Sequence, residues 1–152
     1  MKAYTVSIDI DLPRDRVLEI FEDPSTLAFW QNGFQSYQQR TGDQRQPGST
    51  ATLAYLLGKK PMELTETITR REPPESFDAT YEWQGGMNTL ENRFTEPAPG
   101  TTRWESTCDY RFSSAPLKVM GVLMPWMFRA QNMKYLKNFK AFAETGADVR
   151  TK

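Results

Sequence analysis

Histidine is absent from the 152-residue sequence. That removes the commonest general base at neutral pH, the imidazole of serine and cysteine triads, and the usual nitrogen ligand of zinc or iron. A single cysteine, Cys108, excludes an intrachain disulfide and, with no histidine beside it, a Cys/His metal cluster. Net charge is missing too. Nineteen basic residues balance nineteen acidic ones, which leaves no footprint for nucleic acid or for general anionic-membrane binding. The most apolar run, Leu117 to Phe128, is too short to span a bilayer and carries Lys118, Gly121 and Pro125. The N-terminus MKAYTVSIDIDLP alternates apolar and polar residues, unlike the apolar core of a signal peptide. No phosphate loop, dinucleotide fingerprint or nucleophile elbow occurs. These absences predict a cytoplasmic protein with no metal and no cofactor. Any catalysis falls to carboxylates, Tyr, Lys, Arg or the thiol.

What is present reads as one domain over residues 1–152, with the last few residues expected to be unstructured. Tyr4, Val6, Ile8 and Ile10 alternate with polar residues as a half-buried strand does. Pro13 and Asp15 suit the first turn of a short helix carrying Val17, Leu18, Ile20 and Phe21. A second brief helix follows Asp23-Pro24-Ser25, with Leu27, Phe29 and Trp30. From Gly33 to Phe112 come strand-sized runs at Phe34–Arg40, Ser49–Leu57, Met62–Arg70, Phe77–Trp83, Met87–Phe94 and Thr102–Phe112. Turn residues separate them, including a tight Gly85-Gly86 hairpin. Consecutive strands with short turns predict an antiparallel meander with one dry face.

The last long stretch, Ser114 to Gly146, contains no strand signal. At about 100° per residue, Leu117, Met124, Phe128, Tyr135 and Phe142 fall within about 20° of one line, a buried stripe along a long helix. Pro125 either kinks that helix or starts it. If it is continuous, Val119, Val122, Trp126 and Met133 project away from the stripe into water. Lys134, Lys137 and Lys140 form a solvated face.

The arrangement, with IDIDLPRDRVLEIFEDPSTLAFW near the start, ENRFTEP and TTRWES in the late strands and LMPWMFRAQNMKYLKNFKAFAE at the end, resembles the START/Bet v 1-like (SRPBCC) superfamily. In particular it resembles the bacterial polyketide cyclase/dehydrase and lipid-transport branch. The resemblance implies an α+β helix-grip fold: a curved antiparallel sheet of about seven strands, in the order β-α-α-β6-α, wrapped around a long C-terminal helix. It also implies a deep, largely apolar cavity between sheet and helix. Members variously bind lipids, sterols, hormones or polyketides, transform them, or assist chaperones, and fold alone does not choose among these.

Candidate site residues follow from the faces. Trp30, Phe34, Tyr55, Tyr81, Trp83, Trp104, Tyr110, Phe128 and Tyr135 form a large aromatic set, read either as a cavity wall or as solid core. Gln131, Asn132 and Asn138 flank the helix stripe, placed either to meet a ligand or to satisfy buried groups. Met120, Met124 and Met127 cluster around Pro125 as a deformable lining or gate near the entrance. Asn92 and Ser106 are polar residues on apolar faces, and Glu91 and Arg93 are expected to pair across to Arg103 or Glu105. Cys108 is expected to be inert. Glu66 shares a face with Met62, Leu64 and Ile68, which makes it the catalytic candidate. The alternative is a β-bulge that turns Glu66 out to solvent.

The leading expectation is a carrier for a small hydrophobic or amphipathic molecule, with a homodimer through the apolar 117–126 region as a further possibility. The alternatives are a cyclase or dehydratase acting on a polyketide-like substrate, with Glu66 or a tyrosine as acid/base, and a protein-interaction module.

Overall fold

The computed structural model describes residues 1–151. Its order is β1 (Tyr4–Ile10), α1 (Arg14–Phe21), α2 (Leu27–Trp30), β2 (Phe34–Thr41), β3 (Thr50–Leu57), β4 (Lys60–Glu72), β5 (Ser76–Trp83), β6 (Gly86–Ala98), β7 (Thr101–Phe112), α3 (Ala115–Leu123) and α4 (Pro125–Thr145). The strands form a single antiparallel sheet in the order β1-β7-β6-β5-β4-β3-β2. This is the helix-grip arrangement, a meander of six strands with β1 returned to the edge beside β7. Short 3₁₀ turns cover Pro24–Thr26 and Val149–Thr151. The second of these lies in the tail expected to be unstructured, and Lys152 falls outside the described residues.

The period-two patterns place the inner face as read. Val6 and Ile10 of β1, Ala51, Leu53 and Tyr55 of β3, and Trp104, Ser106 and Cys108 of β7 are all buried. Phe21 of α1 plugs one end of the trough. Its ring meets Phe77, Phe94 and Trp104 edge-on with centroids 5.2–5.4 Å apart. Trp30 and Phe139 complete this aromatic core, with centroids 5.1 Å apart. An ion pair from Arg71 to Glu22 ties the end of α1 to β4. Two residues turn β5 into β6, with Trp83 paired to Gly86. Gly86 has φ +150°, and a Cβ there would stand 2.3 Å from the Arg111 carbonyl oxygen, so glycine is required.

The C-terminal stretch is two helices, not one continuous rod. Met124 leaves the helical region at φ −134°, ψ 53°, and α4 starts afresh at Pro125. A residue before proline is crowded out of the α region, while proline itself suits a first helical position. One expectation is corrected within α4 itself, whose buried face is centred nearer Leu136 and Phe139 than Tyr135. Met133, expected in water, packs half-buried against the core, and Leu136 joins Phe139 as fully buried. Phe128, Tyr135 and Phe142 are half-buried, as is Leu117 on α3. Only Gly121 of α3 is fully buried, where a Cβ would press the Phe112 ring at 3.0 Å.

Other pairings also differ from expectation. Arg93 pairs with Asp78 on β5, not with Glu105 on β7, and Arg103 pairs with Asp9 on β1 at 2.8 Å. Lys140 is not merely solvated. Its ammonium donates to the Asp9 carbonyl at 2.6 Å and to Glu144 Oε2 at 2.7 Å, clamping α4 to β1.

Candidate ligand cavity

Two adjoining chambers lie between the sheet and α4. The outer one encloses about 550 Å³ and is walled by strands β3 to β7, α3 and α4. The inner one, about 80 Å³, lies toward Phe21, Trp30 and Trp104. Gln31, Tyr81, Leu90, Asn132 and Tyr135 line both and form the neck between them. Leu57 and Gln131, both exposed, mark where the outer chamber meets solvent.

Of the residues singled out from sequence, Tyr55, Tyr81, Trp83, Phe128, Gln131 and Tyr135 line the outer chamber. Trp30 and Trp104 line only the inner one and otherwise belong to the solid aromatic core. Phe34, Met120 and Met124 line neither. Phe34 packs edge-on behind Tyr55 at 5.7 Å, while Met120 and Met124 lie half-buried at the α3–α4 junction. The break at Met124 is what removes these methionines, because α3 is not the first half of the helix that roofs the cavity. Only Leu117 of α3 reaches the lining.

Glu66 points inward. The bulge considered for it occurs further along, between Ile68 and Arg70, so the register through Glu66 is regular. The carboxylate is 2% exposed and is not bare. Arg45 Nη1 donates to Oε1 and Oε2 at 3.0 and 3.1 Å, and the Tyr81 hydroxyl donates to Oε2 at 2.8 Å. A buried charge needs such a partner and full hydrogen bonding. Arg45 comes from the β2–β3 connection, at φ +64°, a conformation uncommon outside glycine. Its Cζ lies 5.4 Å from both the Tyr37 and Phe77 ring centroids, and its Nε donates to the Glu22 carbonyl at 3.2 Å. Loop, helix and sheet thus converge on one guanidinium.

The tyrosines of the cavity are held neutral. Burial, reinforced by the Glu66 charge, pushes the Tyr81 hydroxyl well above its ordinary range. Burial also raises Tyr55, Tyr110 and Tyr135. Tyr55 donates to Gln31 Oε1 at 2.5 Å across the neck. On the far side, Asn132 Nδ2 donates to the Tyr4 hydroxyl, to Cys108 Sγ at 3.1 Å and to the Tyr110 hydroxyl at 3.3 Å. Asn138 spends its amide on Asn32 at 2.8 Å. Asn92 bridges the Phe77 carbonyl and the Trp104 indole N–H. Burial pushes the Cys108 thiol up to about 11, so it is no nucleophile at neutral pH.

Sequence reasoning missed Arg45, Asn88, Met62, Leu64, Leu90 and Gln31 as lining residues. Asn88 had a readable signal, since it alternates with Leu90, Asn92 and Phe94 on one face of β6. Arg45 had none beyond the demand that a buried Glu66 makes for a base. Among the described residues, no group of three or more His, Cys, Asp or Glu side chains is placed to hold a metal.

Solved structures share this architecture at low identity. A conserved protein from Geobacillus kaustophilus superposes with a TM-score of 0.75 at 13% identity, over 93% of this chain and 95% of that one. The ginseng major latex-like protein 151 of Panax ginseng gives 0.73 at 13% identity, over 93% and 97%. A protein from the dynemicin biosynthetic locus gives 0.72 at 15%, covering 97% of this chain but 49% of its own. No curated protein matches the sequence. The family model for polyketide cyclase / dehydrase and lipid transport matches residues 1–144, so the chain belongs to that family within the SRPBCC superfamily.

Proposed function

We propose that the chain binds and carries a small hydrophobic or amphipathic molecule in the outer chamber. The apolar body of the ligand lies against Tyr55, Tyr81, Trp83, Phe128 and Tyr135, with Gln131 at the rim. Trp30 and Trp104 form the floor beneath the neck, and Phe34 braces Tyr55. One observation supports this above the others: a void of about 550 Å³ whose lining includes no Lys, Arg, Asp or Glu among the described residues. Ligand sites of roughly 300–1,000 Å³ with mostly apolar walls are the common pattern for small-molecule binding. Native mass spectrometry of the purified protein tests it. A retained small molecule is the expected result. An unliganded spectrum, together with no heat on titration with apolar probes, would sink the carrier reading.

A second reading has its own support. Tyr81 lines both chambers, and its hydroxyl donates to Glu66. A cyclase or dehydratase of a polyketide-like substrate would use that hydroxyl, backed by Glu66, as its proton relay. Tyr81→Phe separates the two, because it removes the hydroxyl and leaves the Arg45–Glu66 pair in place: such an enzyme loses turnover and keeps affinity, whereas a carrier's affinity changes little.

The homodimer expected through residues 117–126 would use Val119, Val122, Leu123 and Trp126, of which Val122 and Leu123 are 75% and 70% exposed. Light scattering across a dilution series tests it, and a monomeric mass at high concentration ends it. No helix among the described residues is long and apolar enough to cross a membrane. The proposed compartment remains the cytoplasm, to be checked by cell fractionation.

A further inference from the structure

Net neutrality hides an uneven distribution of charge. From Tyr110 to Ala143 the chain carries six basic residues and no acidic one. Arg111 and Lys118 line one surface groove beside Val122, and Lys2 and Arg129 line another that holds Val122 and Trp126. All four cations are exposed. Among the described residues, Asp109 is the one carboxylate that lines either groove.

α3 has the composition of a buried helix without the position of one. Lys118 is its one polar side chain, yet Gly121 alone is fully buried. Val119, Val122 and Leu123 fall within about 100° of one another on its outer face, and Trp126 continues that face past the break. These four are 54–75% exposed. The other large apolar side chains left exposed among the described residues are Leu56 and Leu57, which end β3 just before Lys59 and Lys60 at the mouth of the outer chamber.

A helix apolar nearly all round belongs in a core or in lipid, and cations bordering an apolar face suit anionic headgroups. A protein partner would need an acidic groove matched in shape to α3. A bilayer receives apolar side chains without one. We propose that the outer face of α3, continued by Trp126, docks on a bilayer containing anionic lipid. Val119, Val122, Leu123 and Trp126 enter the boundary of the acyl chains, while Lys2, Arg111, Lys118 and Arg129 meet the headgroups. Leu117 of the same helix lines the outer chamber, so the docked face adjoins the cavity. The inference does not depend on what that cavity carries.

Vesicle flotation tests it, with phosphatidylcholine alone and with phosphatidylglycerol added. Four cations against one carboxylate raise affinity for the anionic vesicles about a hundredfold over the neutral ones, and added salt reduces the difference. Val122→Asp combined with Leu123→Asp, at two exposed positions outside the cavity lining, abolishes flotation and leaves the circular dichroism spectrum unchanged. Equal affinity for the two vesicles, or flotation that survives the double substitution, overturns the inference. So does a dimer that the double substitution dissociates in light scattering, because a second copy would then cover this face. Failure to float with either vesicle overturns it as well, and leaves the carrier reading to its own test by native mass spectrometry.

Discussion

Arg45 reaches from a surface connection to place one guanidinium nitrogen 3.0 and 3.1 Å from the two carboxylate oxygens of Glu66, beneath the Tyr81 hydroxyl. Both partners are buried, at 8% and 2% exposure. Breaking such a pair from one side strands a charge, whereas replacing both sides by apolar groups does not. Arg45→Met is therefore expected to cost about 3–5 kcal/mol of stability, and Arg45→Met with Glu66→Leu to recover most of that loss. Urea unfolding of the two variants measures it. A double variant no more stable than Arg45→Met alone contradicts the account.

Alkaline pH should unfold the protein through groups that are buried neutral. Burial raises the Cys108 thiol from 9.0 to about 11, and raises Tyr110 and Tyr135 above their ordinary range. The unfolded chain gives up these protons first, so it binds fewer protons than the native state and stability falls as pH rises. For the thiol, the contribution is whole below about pH 9 and is lost on rising through about 11. Denaturant midpoints from pH 8 to 11 should decline, with tyrosinate absorbance rising together with unfolding. Tyrosinate formed while the fold stays intact would be inconsistent with this burial.

Leu90 sits at the neck and touches both chambers. Leu90→Trp places an indole where the ligand would lie. Ligand retention should vanish, while the fold survives at a cost of about 1–3 kcal/mol, typical of overpacking beside a void. Native mass spectra and thermal unfolding followed by circular dichroism give the two readouts. Undiminished binding would move the ligand elsewhere.

The helix preceding Pro125 should open more readily than the one following it. α3 buries only Gly121 fully, whereas α4 anchors through Leu136, Phe139 and the Lys140 clamp. Local opening follows sparse burial. Amide hydrogen exchange in Ala115–Leu123 should outpace that in Leu136–Ala143, and equal protection would argue against a separately mobile α3.

Much of the fold was legible because strands and helices carry their periods openly. The alternations at Tyr4–Ile10 and Phe77–Trp83 predicted strands that the structure contains with nearly the same bounds. The inward face of Glu66 was legible from its spacing to Leu64 and Ile68, but its partner was not. Arg45 lies in a polar connection whose side chains carry no periodic signal, and its φ of +64° is set by tertiary contacts. The helix break was half legible: Pro125 announced a disturbance, but a restart there changes which residues roof the cavity. The break excludes Met120 and Met124 from the lining, whereas Leu136, about 100° from Tyr135 on α4 itself, escaped because the stripe was centred on Tyr135. Leu90 and Asn88 were open to the same period-two reading that singled out Asn92.

The four tryptophans occupy three different depths. Trp30 and Trp104 are locked in the aromatic core, Trp83 lines the outer chamber, and Trp126 is 65% exposed beside the helix break. The molecule thus carries built-in optical reporters, and single-tryptophan versions would separate their signals. Emission from Trp83 would follow occupancy, quenching of Trp126 by iodide would follow what covers the outer face, and the red shift of the buried pair would follow global unfolding. Uptake, docking and denaturation could then be timed against one another in a single unlabelled sample.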